Sequence, residues 1–204
     1  MIKAIIFDIG GVLLRTHDHT FRTNWDDKLN LQHGTVEHTV FNSQFGKAAQ
    51  LGEITTAELW LKVGETFALS EDDLDQIKTD FWAGDVLDLS LVALIRRLHR
   101  NYVTAVISNY SDILPHLIND KWEMANDFDL LTVSAHEHVM KPNPRIYQLT
   151  LQRLNLPPQQ TVFIDDFAHN IEGAKNVGMH GIHFTKGTNL DDELTKLGIE
   201  IPNK

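Results

Sequence analysis

Two adjacent carboxylates, Asp165 and Asp166, follow the apolar run Thr161-Val162-Phe163-Ile164, and a single one, Asp8, follows Lys3-Ala4-Ile5-Ile6-Phe7. Ser108 and Asn109 follow Val103-Thr104-Ala105-Val106-Ile107, while Leu130-Leu131-Thr132-Val133 leads into Ser134 and then Lys141. Continuous runs of β-branched and aromatic residues read as strands buried on both faces, as in parallel sheets. Ligands of an open α/β sheet bind outside the carboxyl ends of its strands, so the polar residues ending these runs converge on one edge. Together they offer a candidate nucleophile, Asp8, hydroxyl and amide donors in Ser108 and Asn109, a cation in Lys141, and a further pair of acids. Such a set suits a phosphoryl group: carboxylate oxygens hold a hard cation while lysine and hydrogen-bond donors cradle the phosphate. Carboxylate attack on phosphorus is an established covalent strategy. Gly10 and Gly11 let the chain turn tightly after Asp8 and come close to a ligand.

The elements that must position these residues alternate. A fifth strand candidate, Gly181-Ile182-His183-Phe184, follows Gly178. Leu89, Val92, Leu94, Ile95 and Leu98 recur at helical spacing, as do Ile146, Leu149, Leu151 and Leu154, with Pro144 suited to a first turn. Ile171, Ala174 and Val177 run to Gly178, a helix stop. Strands alternating with helices predict a Rossmann-like α/β fold, a doubly wound parallel sheet. Residues 15–84 differ: they show no strand run and four helical patterns, Phe21–Leu31, Val36–Phe45, Thr55–Leu69 and Glu71–Trp82. Ser70 before Glu71, Asp72 and Asp73 is an N-cap followed by acids at the positive end of the dipole. The expected organisation is an α/β catalytic core of residues 1–14 and 85–204, with a small α-helical cap domain, 15–84, over its carboxyl edge. One short extra strand is expected beyond Leu197.

Composition narrows the function. The chain has 204 residues, a formal net charge of −10 and no cysteine. The acidic balance argues against nucleic acid or anionic membrane as partners. Absence of cysteine excludes disulfides, thiol catalysis and thiolate metal sites, and fits a cytoplasmic location. The first apolar run is too short for a signal peptide or a membrane span. Several other residues have ordinary expected roles. Trp25, Trp60 and Trp82 read as helix packing, Arg15 and Arg22 as solvated surface by default, and Asp72, Asp73 and Asp75 as a solvated helix start. His136 and His138 straddle Glu137, but no third zinc ligand is evident.

The segments Phe7-Asp8-Ile9-Gly10-Gly11-Val12-Leu13, Ile107-Ser108-Asn109, Lys141-Pro142 and Phe163-Ile164-Asp165-Asp166 with Asn170-Ile171-Glu172-Gly173-Ala174 occur in this order. So ordered, they resemble the haloacid dehalogenase-like hydrolase superfamily, and the helical insert resembles its cap. Within it the chain looks most like a capped sugar-phosphatase group that includes glucose-1-phosphate phosphatase and the phosphatase half of soluble epoxide hydrolase. The resemblance implies that Asp8 forms an aspartyl-phosphate, and that Asp8, the Gly10 carbonyl and Asp166 bind Mg²⁺. It further implies that Asp165 and Asn170 orient these groups, that Ser108 and the Asn109 amide receive phosphate oxygens, and that Lys141 neutralises Asp8 and the transferring group.

One position departs from the pattern. Most phosphatases of the superfamily have a second Asp where this chain has Gly10, serving as general acid and then base, a contribution of roughly 10²–10⁴ in rate. His17, Asp18 or His19, at the hinge into the cap, could supply the proton instead, and a good leaving group would need it less. The leading expectation is an Mg²⁺-dependent phosphatase for a small phosphorylated metabolite, a sugar phosphate by resemblance. Two alternatives stay open: a metal-independent dehalogenase-type hydrolase, and a catalytically weak binding or regulatory protein of the same fold. The sequence does not decode to a substrate, and oligomeric state is unknown.

Overall fold

The computed structural model describes residues 1–203. β1 (Ala4–Phe7) is followed, after a turn, by β2 (Leu14–Thr16). Five helices come next: α1 (Thr20–Lys28), α2 (Thr35–Phe41), α3 (Gln44–Gln50), α4 (Thr56–Phe67) and α5 (Glu71–Asp80). β3 (Asp85–Leu87) then returns antiparallel to β2. The rest alternates: α6 (Leu89–Leu98), β4 (Val103–Ser108), α7 (Leu114–His116) widening into a π-turn over Leu117–Lys121, β5 (Leu130–Val133) and α8 (Ser134–Glu137). The chain continues through α9 (Pro144–Leu154), β6 (Thr161–Asp165), α10 (Ala168–Asn176), β7 (His180–His183) and α11 (Leu190–Lys196).

The main sheet has the order β5-β4-β1-β6-β7 with all pairs parallel. With β2 and β3 set aside, this is a doubly wound sheet whose direction of winding reverses at β1, the place where such sheets bind ligands. Every side chain of β1 is buried. Ile5 and Phe7 enter one apolar cluster with Leu91, Ile95 and Val106, and Ile6 enters the other with Ile107, Tyr147 and Phe163. Alternate residues thus feed opposite faces, and because both faces are covered, no polar alternation appears in the sequence.

The five helices α1–α5 carry their own apolar cluster, in which Trp25, Trp60, Val63, Ile77 and Phe81 are buried. Thr55 and Glu58 form a reciprocal capping box at the start of α4, and Ser70 accepts from the Asp73 N–H at the start of α5. The segment is joined to the sheet by the β2–β3 ribbon, Leu14 opposite Leu87 and Thr16 opposite Asp85. It is also latched farther out: Thr56 Oγ1 bonds Ser111 Oγ at 2.8 Å, Ser134 Oγ donates to Gln50 O at 2.6 Å, and His138 Nδ1 lies 2.8 Å from Leu51 O.

Three sequence expectations differ from the structure. The Val36–Phe45 pattern is two helices, because Ser43 leaves helical geometry and caps α3 through the Gly46 N–H at 3.1 Å. A strand does lie at the edge of 15–84, but β2 is three residues long, too short for a periodic signal. Beyond Leu197 no strand forms among the described residues, Lys204 lying outside them. Instead α11 ends there, and Ile199 is buried in the cluster that holds Phe7.

Candidate active site

Asp8 is the first residue beyond β1, and its N–H still donates to Ile164 O of β6 at 2.9 Å, so the sheet ladder fixes its backbone. Its side chain is buried. Oδ1 accepts from its neighbour Ile9 N–H at 2.7 Å and from Ser108 Oγ, the last residue of β4, at 2.8 Å. Oδ2 lies 2.8 Å from Lys141 Nζ. That ammonium also bonds Asp165 Oδ2, at the end of β6, at 2.6 Å. Lys141 is in the loop between α8 and α9, and Asn109 holds it there from both sides. Asn109 Nδ2 donates to Lys141 O at 3.0 Å, and Lys141 N–H donates to Asn109 Oδ1 at 2.8 Å. The Asn109 side chain is therefore occupied as a positioning clamp.

Asp165 is fully satisfied: besides Lys141 it accepts from Phe167 N–H at 2.8 Å and from Asn170 Nδ2 at 3.0 and 3.1 Å. Asn170 is thus a buried positioning residue, not a helix-surface one. Asp166 differs from its neighbour. Its Oδ1 is buried without a partner among the described residues, a costly state for a carboxylate oxygen unless a cation meets it. Carboxylate oxygens of Asp8, Asp165 and Asp166 lie within 4.8 Å of one another. Three carboxylates against the single Lys141 ammonium leave an excess of two negative charges, which a divalent cation would neutralise.

Electrostatics agree with that balance. Burial pushes Asp8 up from 3.8 to about 6 against the opposing pull of Lys141, and Asp165 pushes it further up. Asp166 is also raised, by burial first and by Asp165 second. In both, burial is the main cause, and the neighbouring Asp165 carboxylate adds to it. The donor set is all oxygen, as a hard cation prefers, and an octahedral ion that keeps several waters needs no more protein carboxylates than are present.

The two glycines after Asp8 serve different ends. Gly11 has φ +71°, and a Cβ there would stand 2.1 Å from Asp166 Oδ2, so only glycine leaves room for the carboxylate. A Cβ on Gly10 would meet nothing within 4 Å. The space for a second acid exists; the acid is simply missing. Among the hinge residues, Asp18 accepts from Thr20 Oγ1 and the Thr20 N–H, which lowers its pKa and holds it ionised. His17 lines a polar groove of about 1180 Å³ that also touches Gly11, Arg15, Asp166 and Lys186.

The chain matches the family described as haloacid dehalogenase-like hydrolase over residues 2–178. It belongs to that family. This hydrolase is 25% identical over 200 residues to the sesquiterpene phosphatase astK of Aspergillus oryzae, the match spanning 96% of both chains. It is 28% identical over 215 residues to mouse acyl-CoA dehydrogenase family member 10, spanning 96% of this chain but 19% of that protein. A family enzyme from Bacteroides thetaiotaomicron, crystallised with magnesium and inorganic phosphate, superposes with a TM-score of 0.79 at 21% identity, over 95% of this chain and 99% of that one. In this hydrolase Asp8, Ser108, Lys141, Asp165 and Asn170 are linked by hydrogen bonds and ion pairs, and Asp166 lies beside them.

Other expectations fare differently. Arg22 is not solvated surface: it is buried, donates to Phe81 O at 2.9 Å and binds both Asp85 oxygens at 2.8 and 2.9 Å. Arg15 is half exposed and tied to Asp88. All three tryptophans pack in the helical cluster as expected, Trp25 with its Nε1 on Asp80, and Trp60 and Trp82 in addition line a cavity between the helices and the sheet edge. Tyr110 and Trp122 line the same cavity and were missed; the only sequence signal was that Tyr110 directly follows Ser108-Asn109. His138 Nδ1 lies 2.8 Å from Leu51 O, and Glu137 is paired with Arg153.

Proposed function

We propose that this hydrolase is an Mg²⁺-dependent phosphatase that releases phosphate from a small phosphorylated metabolite through an aspartyl-phosphate on Asp8. The observation that carries the reading is the buried Asp8 carboxylate, held by Ser108, Ile9 N–H and Lys141 beside the unpartnered Asp166 oxygen. A carboxylate aligned by three donors is poised for attack at short range, and such alignment replaces entropy that a free encounter would lose. Asp8 attacks phosphorus, a new P–O bond forms, and the bond to the leaving alcohol breaks. Lys141, Ser108 and the Asn109 N–H face the charge that spreads over the phosphoryl oxygens. Water then cleaves the acyl-phosphate, regenerating Asp8 and freeing inorganic phosphate.

Asp8, Asp166 and the Gly10 carbonyl would hold Mg²⁺, which supplies charge neutralisation to the phosphoryl group during transfer. Asp165 and Asn170 keep Lys141 and its neighbours in place. With no acid at Gly10 and Asp18 held ionised, His17 and His19 are the hinge residues left to protonate a leaving group, and His17 lines the groove that reaches Asp166. The α1–α5 segment acts as a cap that excludes water and chooses the substrate. A dehalogenase would need no metal, and the pair Asp165-Asp166, with its unneutralised charge, supports the phosphatase instead.

The test is phosphate release from a panel of phosphomonoesters, p-nitrophenyl phosphate included, with Mg²⁺ and with EDTA. Turnover that needs Mg²⁺ and disappears in Asp8→Asn supports the reading; metal-independent turnover, or none from a folded and metal-binding protein, sinks it.

A further inference from the structure

The cavity between the helical cap and the sheet edge has a volume of about 540 Å³, within the range of roughly 300–1,000 Å³ usual for small-molecule sites. Its core-side wall includes Asn109 and Tyr110, the two residues after Ser108, which brings it close to the proposed phosphate position. The rest is largely aromatic and aliphatic: Phe41, Leu59, Trp60, Trp82 and Trp122 face it.

Much of the polar side-chain capacity on its wall is already committed, the Tyr110 hydroxyl and the Lys121 ammonium being exceptions. Gln50 Nε2 donates to Phe41 O and Gly46 O, and Thr56 Oγ1 is bonded to Ser111 and Asp112. Asp85 is taken by Arg22 and Thr16, and Asn109 is taken at both ends by Lys141. A sugar ring brought into this space would bury several hydroxyls against a mostly aromatic and aliphatic wall that can pair few of them, and unpaired buried hydroxyls are costly. An alkyl or isoprenoid chain loses nothing there and leaves water.

We infer that the substrate is a phosphomonoester of an apolar alcohol: its phosphate sits at Asp8, Ser108 and Lys141, and its hydrocarbon chain fills the cavity lined by Trp60, Trp82, Tyr110 and Trp122. This rests on the phosphatase reading and deepens it, replacing a sugar with a lipophilic tail. Water is the second reactant. The P–O bond to the alcohol breaks, the alcohol oxygen ends as a hydroxyl, and inorganic phosphate leaves. The chemistry places the enzyme after a reaction that makes apolar alkyl or prenyl phosphates and before one that consumes the free alcohol.

Two measurements test it. In the first, kcat/KM is followed over linear alkyl monophosphates from ethyl to dodecyl, with glucose phosphates and p-nitrophenyl phosphate as references. The expected gain is about fourfold per methylene until the cavity is full, with a shallower slope in Trp122→Ser. A flat series, or glucose phosphates exceeding the long alkyl esters while p-nitrophenyl phosphate is hydrolysed, overturns the apolar substrate and leaves the phosphatase standing. In the second, decanol and glucose are titrated into the unmodified protein without turnover. Three of the four tryptophans line the cavity, so decanol should change tryptophan emission saturably and glucose should not. That signal is independent of catalysis: saturable decanol binding without phosphate release from any ester would uphold the cavity's role and refute the phosphatase reading, whereas failure of decanol to bind overturns the apolar site.

Discussion

The sheet edge and the helical segment above it solve opposite problems. At the edge, Asp8, Ser108, Lys141, Asp165 and Asn170 are all buried polar groups, each held by named partners from a different strand end or loop. In the α1–α5 segment the interior is aliphatic and aromatic, and its two buried charged groups are spent locally: Asp26 accepts from the Gly34 and Val36 N–H groups, and Arg22 binds Asp85 at the hinge and lies 4.4 Å from the ring of Phe81. One region concentrates charge where a reaction would need it; the other removes charge where a substrate body would lie. The difference teaches where mutations should act: polar changes at the edge should move rate or metal affinity, and changes in the helices should move stability or substrate range.

The largest break is Asp8→Asn, which keeps the volume but removes the nucleophile; kcat/KM should fall by at least ~10³ for every phosphate ester tested. If it fell for some esters only, the edge would not be the common chemical site. On the other side, Arg22→Met should cost about 3–5 kcal/mol of stability, because Asp85 is left as a buried unpaired charge. Urea denaturation reads this, and adding Asp85→Leu should restore much of the loss.

The neighbouring glycines sharpen the comparison within the edge itself. Gly11→Ala should weaken Mg²⁺ affinity by roughly 10–100-fold, measured by titration calorimetry, since its Cβ displaces Asp166. Gly10→Asp should fold normally and raise kcat about tenfold for esters with poor leaving groups, with little change for p-nitrophenyl phosphate, because the vacant space accepts the missing acid. The smallest effect is on pH. Burial raises Asp8 from 3.8 to about 6, so the folded metal-free protein keeps a proton that the unfolded chain has released. Stability therefore falls as pH rises from about 4 through 6, by about 1–2 kcal/mol from this group. The stability difference between Asp8→Asn and the parent should grow in favour of Asn over that window; a constant difference would mean that Lys141 fully compensates burial.

Legibility in the sequence followed the same division. β1 and β6 are fully buried strands and β4 nearly so; their apolar runs stop abruptly, and the polar residue at each stop could be read as a site residue. The α3 helix was hidden because Ser43, a polar residue in a helical pattern, acts as a cap only once Gly46 comes round to it. The β2–β3 ribbon was hidden because three residues give no period. The expected tail strand failed because Ile199 is buried by packing on the sheet cluster, not by pairing. Arg22, read as surface, was misjudged because its partner Asp85 is distant in sequence.

By itself the sequence determined the strand ends and hence the chemistry: an apolar run ending in a carboxylate has little choice about where that carboxylate sits in a parallel sheet. Only the tertiary structure decided which of the two adjacent acids has an oxygen to spare, because that depends on Lys141 and Asn170 reaching Asp165 and not Asp166. It alone decided that Gly10 is an empty position and Gly11 an obligatory one, since both are the same residue on paper. It alone also made a cavity from Trp60, Trp82, Tyr110 and Trp122, because a cavity belongs to surfaces that meet across the fold and leaves no period in the chain.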